Sequence, residues 1–176
     1  MNQTETVLLL LDHQLGLFQT VKDISVAELR ANAAALAKLA TQLDIPVITT
    51  ASAPDGPNGP LIPEIRQFMP HAIYVPHKGE VNAWDNKLFV ETVRKTGKKT
   101  LIIAGVWTSV CVMFPSLDAK AAGFNLYAIM DASGDPSQMA SRITLTTWHP
   151  VPNRLGGCTS LFVQKQIQCR MWLAKL

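Results

Sequence analysis

The chain has 176 residues, 48% of them hydrophobic, and its 16 Lys and Arg against 13 Asp and Glu leave a net charge of +3. This length and apolar content predict a single domain, 1–176, whose core needs no disulfide or structural metal. The scattered positive charge forms no basic stripe, which argues against nucleic acid as a partner. The three cysteines are widely spaced and form no disulfide framework, which favours a reducing compartment. We see no leader and no run of about 20 apolar residues, so a cytoplasmic protein with no membrane partner is predicted.

The first strand is predicted at 7–11, because a continuous apolar run closed by a polar residue is typical of a strand buried on both faces of a parallel sheet. A helix follows from Ser25, which stands three residues before Glu28 as a capping box, and its apolar stripe reaches about residue 43. The proline-rich segment 53–63 predicts an irregular loop.

The rest of the chain repeats this alternation of strand and helix. Further strands are predicted at 46–50, 72–75, 100–104 and 125–130. Asp85 is placed to cap a second helix, which Gly97 ends. A third helix is predicted to start near Val110 and to end before Gly123. Its predicted apolar face comprises Met113, Phe114, Leu117 and Ala121.

Alternating strands and helices imply right-handed crossovers and an open, mainly parallel sheet with helices on both faces. The predicted fold class is therefore α/β, a three-layer αβα sandwich with Rossmann-like topology. Ligands of such folds bind where the strands end. Asp12 follows the first strand, Lys78 the third and the turn 105–111 the fourth. These residues are therefore predicted to meet at one edge of the sheet.

Cys111 is a candidate nucleophile, because backbone N–H groups and the dipole at a helix start lower a thiol pKa and can later bind an oxyanion. The alternative is a small buried hydrophobic residue, the commonest role of free cysteine. Asp12 is a candidate general base for the thiol proton, or else a simple cap. Lys78 would fix the charge of this pair, or be a solvated loop lysine. His13 and His77 lie beside these positions in the sequence, so a Cys–His dyad stays open.

Three motifs, in this order, resemble a known family. The sequence reads LLLLDHQ at 8–14, KG at 78–79 followed by NAWDN at 82–86, and LIIAGVWTSVCV at 101–112. Together they are similar to the isochorismatase-like cysteine hydrolases, and within that superfamily to the YcaC-like branch. The resemblance covers about residues 7–134.

The resemblance implies an Asp-Lys-Cys triad, carried here by Asp12, Lys78 and Cys111. Asp12 would take the thiol proton, and the thiolate would attack the carbonyl carbon of a small amide or related C–N substrate to give a thioester. The backbone N–H groups of Trp107 and Cys111 would form the oxyanion hole, beside a cis peptide bond at Val106–Trp107. The family also implies a homo-oligomer.

The chain departs from the nicotinamidase branch of this superfamily, which binds a metal. Residues 51–58, where that branch places an Asp and two His ligands, hold one carboxylate and no histidine, so neither a metal nor a cofactor is expected. The predicted pocket for a small-molecule substrate is lined by Trp84, Trp107, Phe114 and His77. The aromatic residues could instead fill the core or a subunit interface.

The segment from about residue 146 is atypical, because it lacks recognisable similarity to the family. A shifted reading frame or a different exon is one hypothesis for it.

Two other functions stay open for the whole chain. A catalytically silent binding or scaffold homologue would keep the fold without using Cys111, and a redox sensor would use the same thiol for oxidation.

Overall fold

Six parallel strands form the central sheet in a computed structural model that describes residues 2–148 and the backbone of residues 162–164. They are β1 (Thr6–Leu11), β2 (Val47–Ser52), β3 (Ile73–His77), β4 (Thr100–Gly105), β5 (Asn125–Ile129) and β6 (Phe162–Gln164). Their order across the sheet is β3-β2-β1-β4-β5-β6. The first five confirm the predicted strands, and β6 lies where the sequence predicted none.

Helices alternate with these strands along the chain. They are α1 (Leu15–Phe18), α2 (Val26–Gln42), α3 (Pro63–Phe68), α4 (Lys87–Lys95), α5 (Met113–Ala121) and α6 (Gln138–Trp148). α2 confirms the helix predicted from Ser25, whose hydroxyl accepts a hydrogen bond from the N–H of Glu28 at 3.2 Å. Within the described ranges, no helix combines the length and the apolar character needed to cross a membrane.

Apolar layers cover both faces of the sheet. Successive side chains of a strand point to opposite faces, so Leu8 of β1 packs in one layer with Leu29 of α2. The next residue, Leu9, packs in the other layer with Phe89 of α4. All four side chains are at most 1% exposed, and each such burial stabilises the fold by about 1.5–3 kcal/mol. This arrangement confirms the predicted three-layer α/β sandwich.

The start of α4 differs from the prediction. Asn86, and not Asp85, caps this helix, and its side chain accepts a hydrogen bond from the N–H of Phe89 at 3.1 Å. Asp85 ends a separate 3₁₀ turn, Ala83–Asp85. A cap residue needs an extended backbone, and Asp85 cannot provide one because it is already part of that turn.

The apolar face predicted for the third helix is wrong for three of its four residues, because Phe114, Leu117 and Ala121 are exposed. Phe114 and Leu117 are 39% and 43% exposed, whereas Ser116 and Ala119 of α5 face the core. A π-helical turn, Thr108–Val112, precedes α5. Its wider winding rotates α5 relative to the face that regular α-helical spacing predicts.

The strand order brings four segments of the chain to one edge of the sheet. β3, β2, β1 and β4 are parallel neighbours, so their carboxyl ends deliver His77, Thr50, Asp12 and the turn after Gly105 to the same place. A Cβ atom on Gly105 would lie 2.6 Å from the backbone oxygen of Leu11. Glycine is therefore required where β4 passes closest to β1.

The atypical segment from about residue 146 falls mostly outside the described residues. The hypothesis of an altered reading frame, and the assignment of 1–176 to one domain, therefore stay predictions.

Candidate active site

Asp12 is the buried centre of the candidate site. It follows β1 with a φ of 54°, in the left-handed region that Asp tolerates better than most residues, and it is 1% exposed. Its Oδ1 accepts a hydrogen bond from Oγ1 of Thr50 at 2.7 Å and lies 3.0 Å from Nε2 of His77. A buried carboxylate needs partners of this kind, and together they hold Asp12 in one position.

His77 is the basic residue that reaches Asp12. Its side chain is 2% exposed. Burial opposes protonation of the imidazole, but the hydrogen bond and negative charge of Asp12, aided by Glu80, outweigh it and raise the pKa of His77 above 6.5. His77 therefore stays protonated, as an ion pair with Asp12, to a higher pH than an ordinary histidine.

Lys78, the predicted triad lysine, is exposed. β3 buries Val75 and His77 and exposes Pro76 between them. Side chains alternate between the two faces along a strand. When this alternation is continued for one residue beyond the end of β3, Lys78 lies on the exposed side together with Pro76. Within residues 2–148, its ammonium group makes no hydrogen bond or ion pair. The structure thus brings Asp12 together with His77 and not with Lys78.

Cys111 lies in the π-helical turn directly before α5 and is partly buried. Burial raises the pKa of the Cys111 thiol well above the ordinary value. The negative charge of Asp12 and a hydrogen bond between the thiol and the Asp12 carboxylate raise this pKa further, whereas a hydrogen bond with the Trp107 backbone lowers it. The sequence prediction of a lowered pKa is wrong, because burial and the carboxylate outweigh the backbone N–H groups. Cys111 is therefore a protonated thiol beside the carboxylate of Asp12.

The turn before Cys111 is held by several hydrogen bonds. The peptide bond between Val106 and Trp107 is cis. The carbonyl of Trp107 accepts a hydrogen bond from the N–H of Val110 at 3.2 Å, and its indole N–H donates to the hydroxyl of Thr20 at 2.7 Å. The turn thereby fixes the backbone of Trp107 next to the sulfur of Cys111.

Two of the aromatic residues predicted for the pocket have other surroundings. The ring of Trp84 lies edge-on to Phe89 and Phe124, with centroids 6.1 and 5.8 Å apart. This geometry is typical of aromatic packing in a core. Phe114 lies on the partly open face of α5. A pocket role for Trp84 and Phe114 thus stays a prediction.

His13, the other histidine considered for a dyad, has a different partner. It is fully buried, and its Nε2 lies 2.9 Å from the carbonyl oxygen of Ala132. Burial lowers the pKa of His13 to about 4, although the Ala132 carbonyl and the charge of Asp12 act in the opposite direction. His13 is therefore a neutral core residue at pH 7.

Sequence reasoning missed Thr50 and the pair formed by Ser109 and Asp135. Thr50 is the last residue of the predicted strand 46–50, and Asp12 directly follows the first predicted strand. Because both residues lie at strand ends, the sequence already indicated that Thr50 could be close to Asp12. Asp135 accepts hydrogen bonds from both the N–H and the hydroxyl of Ser109. These two residues are 26 positions apart, and no motif connects them.

A groove of about 560 Å³ lies beside α3 and β3, where its lining includes Arg66, Met69 and Tyr74. The lining includes neither Asp12 nor Cys111, so this groove is separate from the candidate site. In the part of the chain that the structure describes, no group of three or more His, Cys, Asp or Glu is arranged to hold a metal ion.

Comparison with protein families supplies the context for this site. A family model described as "Isochorismatase domain" matches residues 6–149, a range that contains Asp12, His77 and Cys111. The chain belongs to the isochorismatase family.

Similar proteins agree with the predicted YcaC-like branch. Probable hydrolase YcaC of Escherichia coli (strain K12) is 46% identical over 134 residues, which cover 76% of this chain and 64% of that protein. The chain thus matches less than two thirds of the length of this curated relative.

Two solved structures of YcaC also match. YcaC from Pseudomonas aeruginosa, with hexane-2,5-diol and covalent acrylamide, has a TM-score of 0.85 and 39% identity, covering 94% of this chain and 78% of that one. YcaC from Escherichia coli, described as an octameric hydrolase of unknown specificity, has a TM-score of 0.84 and 40% identity, covering 93% and 77%. These matches confirm the predicted fold and the predicted resemblance.

Proposed function

We propose that the chain is a cysteine hydrolase that cleaves small amides or related C–N substrates through a thioester on Cys111. The observation that carries this proposal is the carboxylate of Asp12, which lies between the buried imidazole of His77 and the thiol of Cys111. Nucleophilic catalysis needs a nucleophile, a base beside it and a third group that orients the base. These three residues supply those roles.

The first half of the reaction forms the thioester. As the sulfur of Cys111 attacks the carbonyl carbon, its proton passes to Asp12. Two backbone N–H groups, those of Trp107 and Cys111, stabilise the negative charge on the carbonyl oxygen. Collapse of this intermediate breaks the C–N bond, and Asp12 returns the proton to the leaving amine.

The second half of the reaction releases the acid. Water attacks the thioester carbonyl and gives a proton to Asp12. The C–S bond breaks, and the same proton returns to the sulfur of Cys111. The products of the full cycle are one carboxylic acid and one amine, and the protein is regenerated.

His77 supplies the positive charge that this site requires. Burial raises the pKa of the Cys111 thiol, and a thiolate beside Asp12 would place two negative charges together, which raises the pKa further. A proton on His77 neutralises Asp12 and lowers the energy of the thiolate as it forms. We therefore assign His77, and not Lys78, as the basic member of the triad.

Two properties of the relatives support the proposal. The Pseudomonas aeruginosa YcaC structure contains covalent acrylamide, and acrylamide is an electrophile that thiols attack. The Escherichia coli YcaC is an octamer. We propose that this chain also forms a homo-oligomer, and the exposed apolar residues Phe114 and Leu117 are available to a second copy.

A redox sensor is the second candidate for the same thiol, because catalytic and oxidant-sensing cysteines both react as thiolates. The raised pKa of Cys111 applies equally to both functions. The two are separated by turnover of a substrate, which a sensor lacks.

A panel of small amides tests the proposal with the wild type and the Cys111→Ala variant. We expect turnover of at least one amide by the wild type and its loss in the variant, and equal rates in the two proteins would refute the mechanism. Peptide mapping by mass spectrometry after incubation with acrylamide should locate an adduct on Cys111, counted separately from any adduct on Cys158 or Cys169. A protein with no turnover and no adduct would be the catalytically silent homologue.

A second pair of variants tests the basic residue. His77→Gln keeps a donor for Asp12 but removes the charge, so we expect adduct formation on Cys111 to slow by about tenfold or more at pH 7. Lys78→Ala is the matched control and should react like the wild type. Slowing in Lys78→Ala alone would return the triad role to Lys78.

A further inference from the structure

A second buried carboxylate holds the turn that carries the nucleophile. Asp135 is fully buried. Its Oδ1 accepts hydrogen bonds from the hydroxyl of Ser109 at 2.7 Å and from the N–H of Ser109 at 3.1 Å. Ser109 lies midway between Trp107 and Cys111, whose backbone N–H groups form the proposed oxyanion hole.

The backbone beside this contact is fixed as well. The N–H of Thr108 donates to the carbonyl of Gly134 at 3.0 Å. Residues 108 and 109 are therefore attached in register to residues 134 and 135. A π-helical turn is rare and is stable mainly where surrounding contacts enforce it. Contacts of this kind keep the turn at Thr108–Val112 in its wider winding.

Asp135 is itself held on several sides, because its N–H, its carbonyl and both of its carboxylate oxygens make hydrogen bonds. Its N–H donates to Oδ1 of Asp23 at 2.7 Å, and its carbonyl accepts from the N–H of Lys22 at 2.8 Å. Its Oδ2 accepts from the hydroxyl of Ser141 at 3.2 Å, and that hydroxyl also bonds to Asp23. The carboxylate therefore occupies a point fixed by α6 and by the segment before α2.

We infer that Asp135 is a positioning residue, which sets the geometry of the Trp107 and Cys111 N–H groups and of the thiol by holding Ser109. This inference rests on the proposed function. A catalytic group displaced by about 1 Å can lose a hundredfold in rate. A carboxylate that accepts two hydrogen bonds from one residue of the turn is suited to prevent such a displacement.

The test compares Asp135→Ala and Ser109→Ala with Ser137→Ala. Ser137→Ala is the matched control, because the Ser137 hydroxyl lies in the same segment but accepts from the N–H of Ala140 at 3.1 Å. It should lower stability without touching the turn. Ser109→Ala removes the hydroxyl bond and keeps the N–H bond.

Two rates are measured in each folded variant: adduct formation on Cys111 with acrylamide across pH, and kcat and KM for an amide that the wild type hydrolyses. We expect Asp135→Ala to lower both kcat and the adduct rate about tenfold to a hundredfold, with KM within about threefold. Ser109→Ala should lower kcat about threefold to tenfold, and Ser137→Ala should leave both rates within twofold.

Equal rates in Asp135→Ala and the wild type would overturn the inference, and so would a loss of the same size in Ser137→Ala. Should Asp135→Ala fail to fold, Ser109→Ala decides, and a wild-type rate in that variant refutes the role. If no amide is hydrolysed by the wild type, the proposed function fails, but the adduct rates still decide whether Asp135 positions the thiol.

Discussion

Lowering the pH from 7 to 4 should cost the folded protein about 3 kcal/mol through His13 alone. The pKa of this buried histidine is about 4, against 6.5 for an ordinary one. Between these values the unfolded chain binds a proton that the folded chain does not, so stability rises with pH. The interval from 6.5 to about 4, at about 1.4 kcal/mol for each pH unit, corresponds to about 3.5 kcal/mol in full. About 3 kcal/mol of this is lost by pH 4, where half of the folded protein has bound the proton.

The assay is urea unfolding of the wild type and of His13→Gln at several pH values. Glutamine keeps a donor for the carbonyl of Ala132 but cannot be protonated in this range. The stability of the variant relative to the wild type should therefore improve by about 3 kcal/mol from pH 7 to pH 4. Carboxylates that titrate in the same window affect both proteins alike and cancel in the difference.

His77→Gln provides the contrast, because the pKa of His77 is raised and not lowered. Its contribution to stability is fully present below 6.5 and is lost as the pH rises through the folded pKa. The two variants should thus respond in separate pH windows and with opposite sign. A flat difference for His13→Gln between pH 7 and pH 4, or one that slopes like that of His77→Gln, would refute the reasoning.

Three further changes have expected effects on stability, measured by urea unfolding. Gly105→Ala should destabilise the fold by about 1–3 kcal/mol, because the new Cβ would lie 2.6 Å from a backbone oxygen of the neighbouring strand. Gly79→Ala is the control, because a Cβ atom at Gly79 would have no other atom within 4 Å. Asn86→Ala should cost about 1 kcal/mol as the loss of a helix cap, and an equal loss in Asp85→Ala would contradict the observed cap. Thr50→Val removes a buried donor to a carboxylate, at 2.7 Å, and should cost about 1.5–3 kcal/mol; a neutral result would show that the hydroxyl is dispensable.

The first five strands and the proximity of Asp12 to Cys111 were predictable from the sequence because their signals are local, whereas β6 was not predicted. A buried parallel strand is a continuous apolar run, and the residue after it lies at the binding edge of the sheet. The identity of the basic residue depends on a finer feature. His77 and Lys78 are adjacent, and only the phase of β3 decides which of them faces Asp12.

Other features of the site depend on contacts that no local pattern records. The π-helical turn rotates α5, so the apolar spacing of Phe114 and Leu117 points to the wrong face. The thiol pKa depends on burial and on a carboxylate from a distant strand, which outweigh the helix start. The bond between Ser109 and Asp135 joins two loops that are brought together only by the folded sheet.

The place of β3 in the sheet has a consequence for how the proposed activity would be lost. Its backbone pairs with β2 on one side, and among the strands that the structure describes it stands at one end of the order across the sheet. Terminal strands fray in local openings that cost less free energy than global unfolding. Such an opening would withdraw the imidazole of His77 from the carboxylate of Asp12 while the centre of the molecule stayed intact. On heating, we expect turnover to disappear before the circular dichroism of the helices changes, so inactivation would mark the edge of the sheet and not the melting of its core.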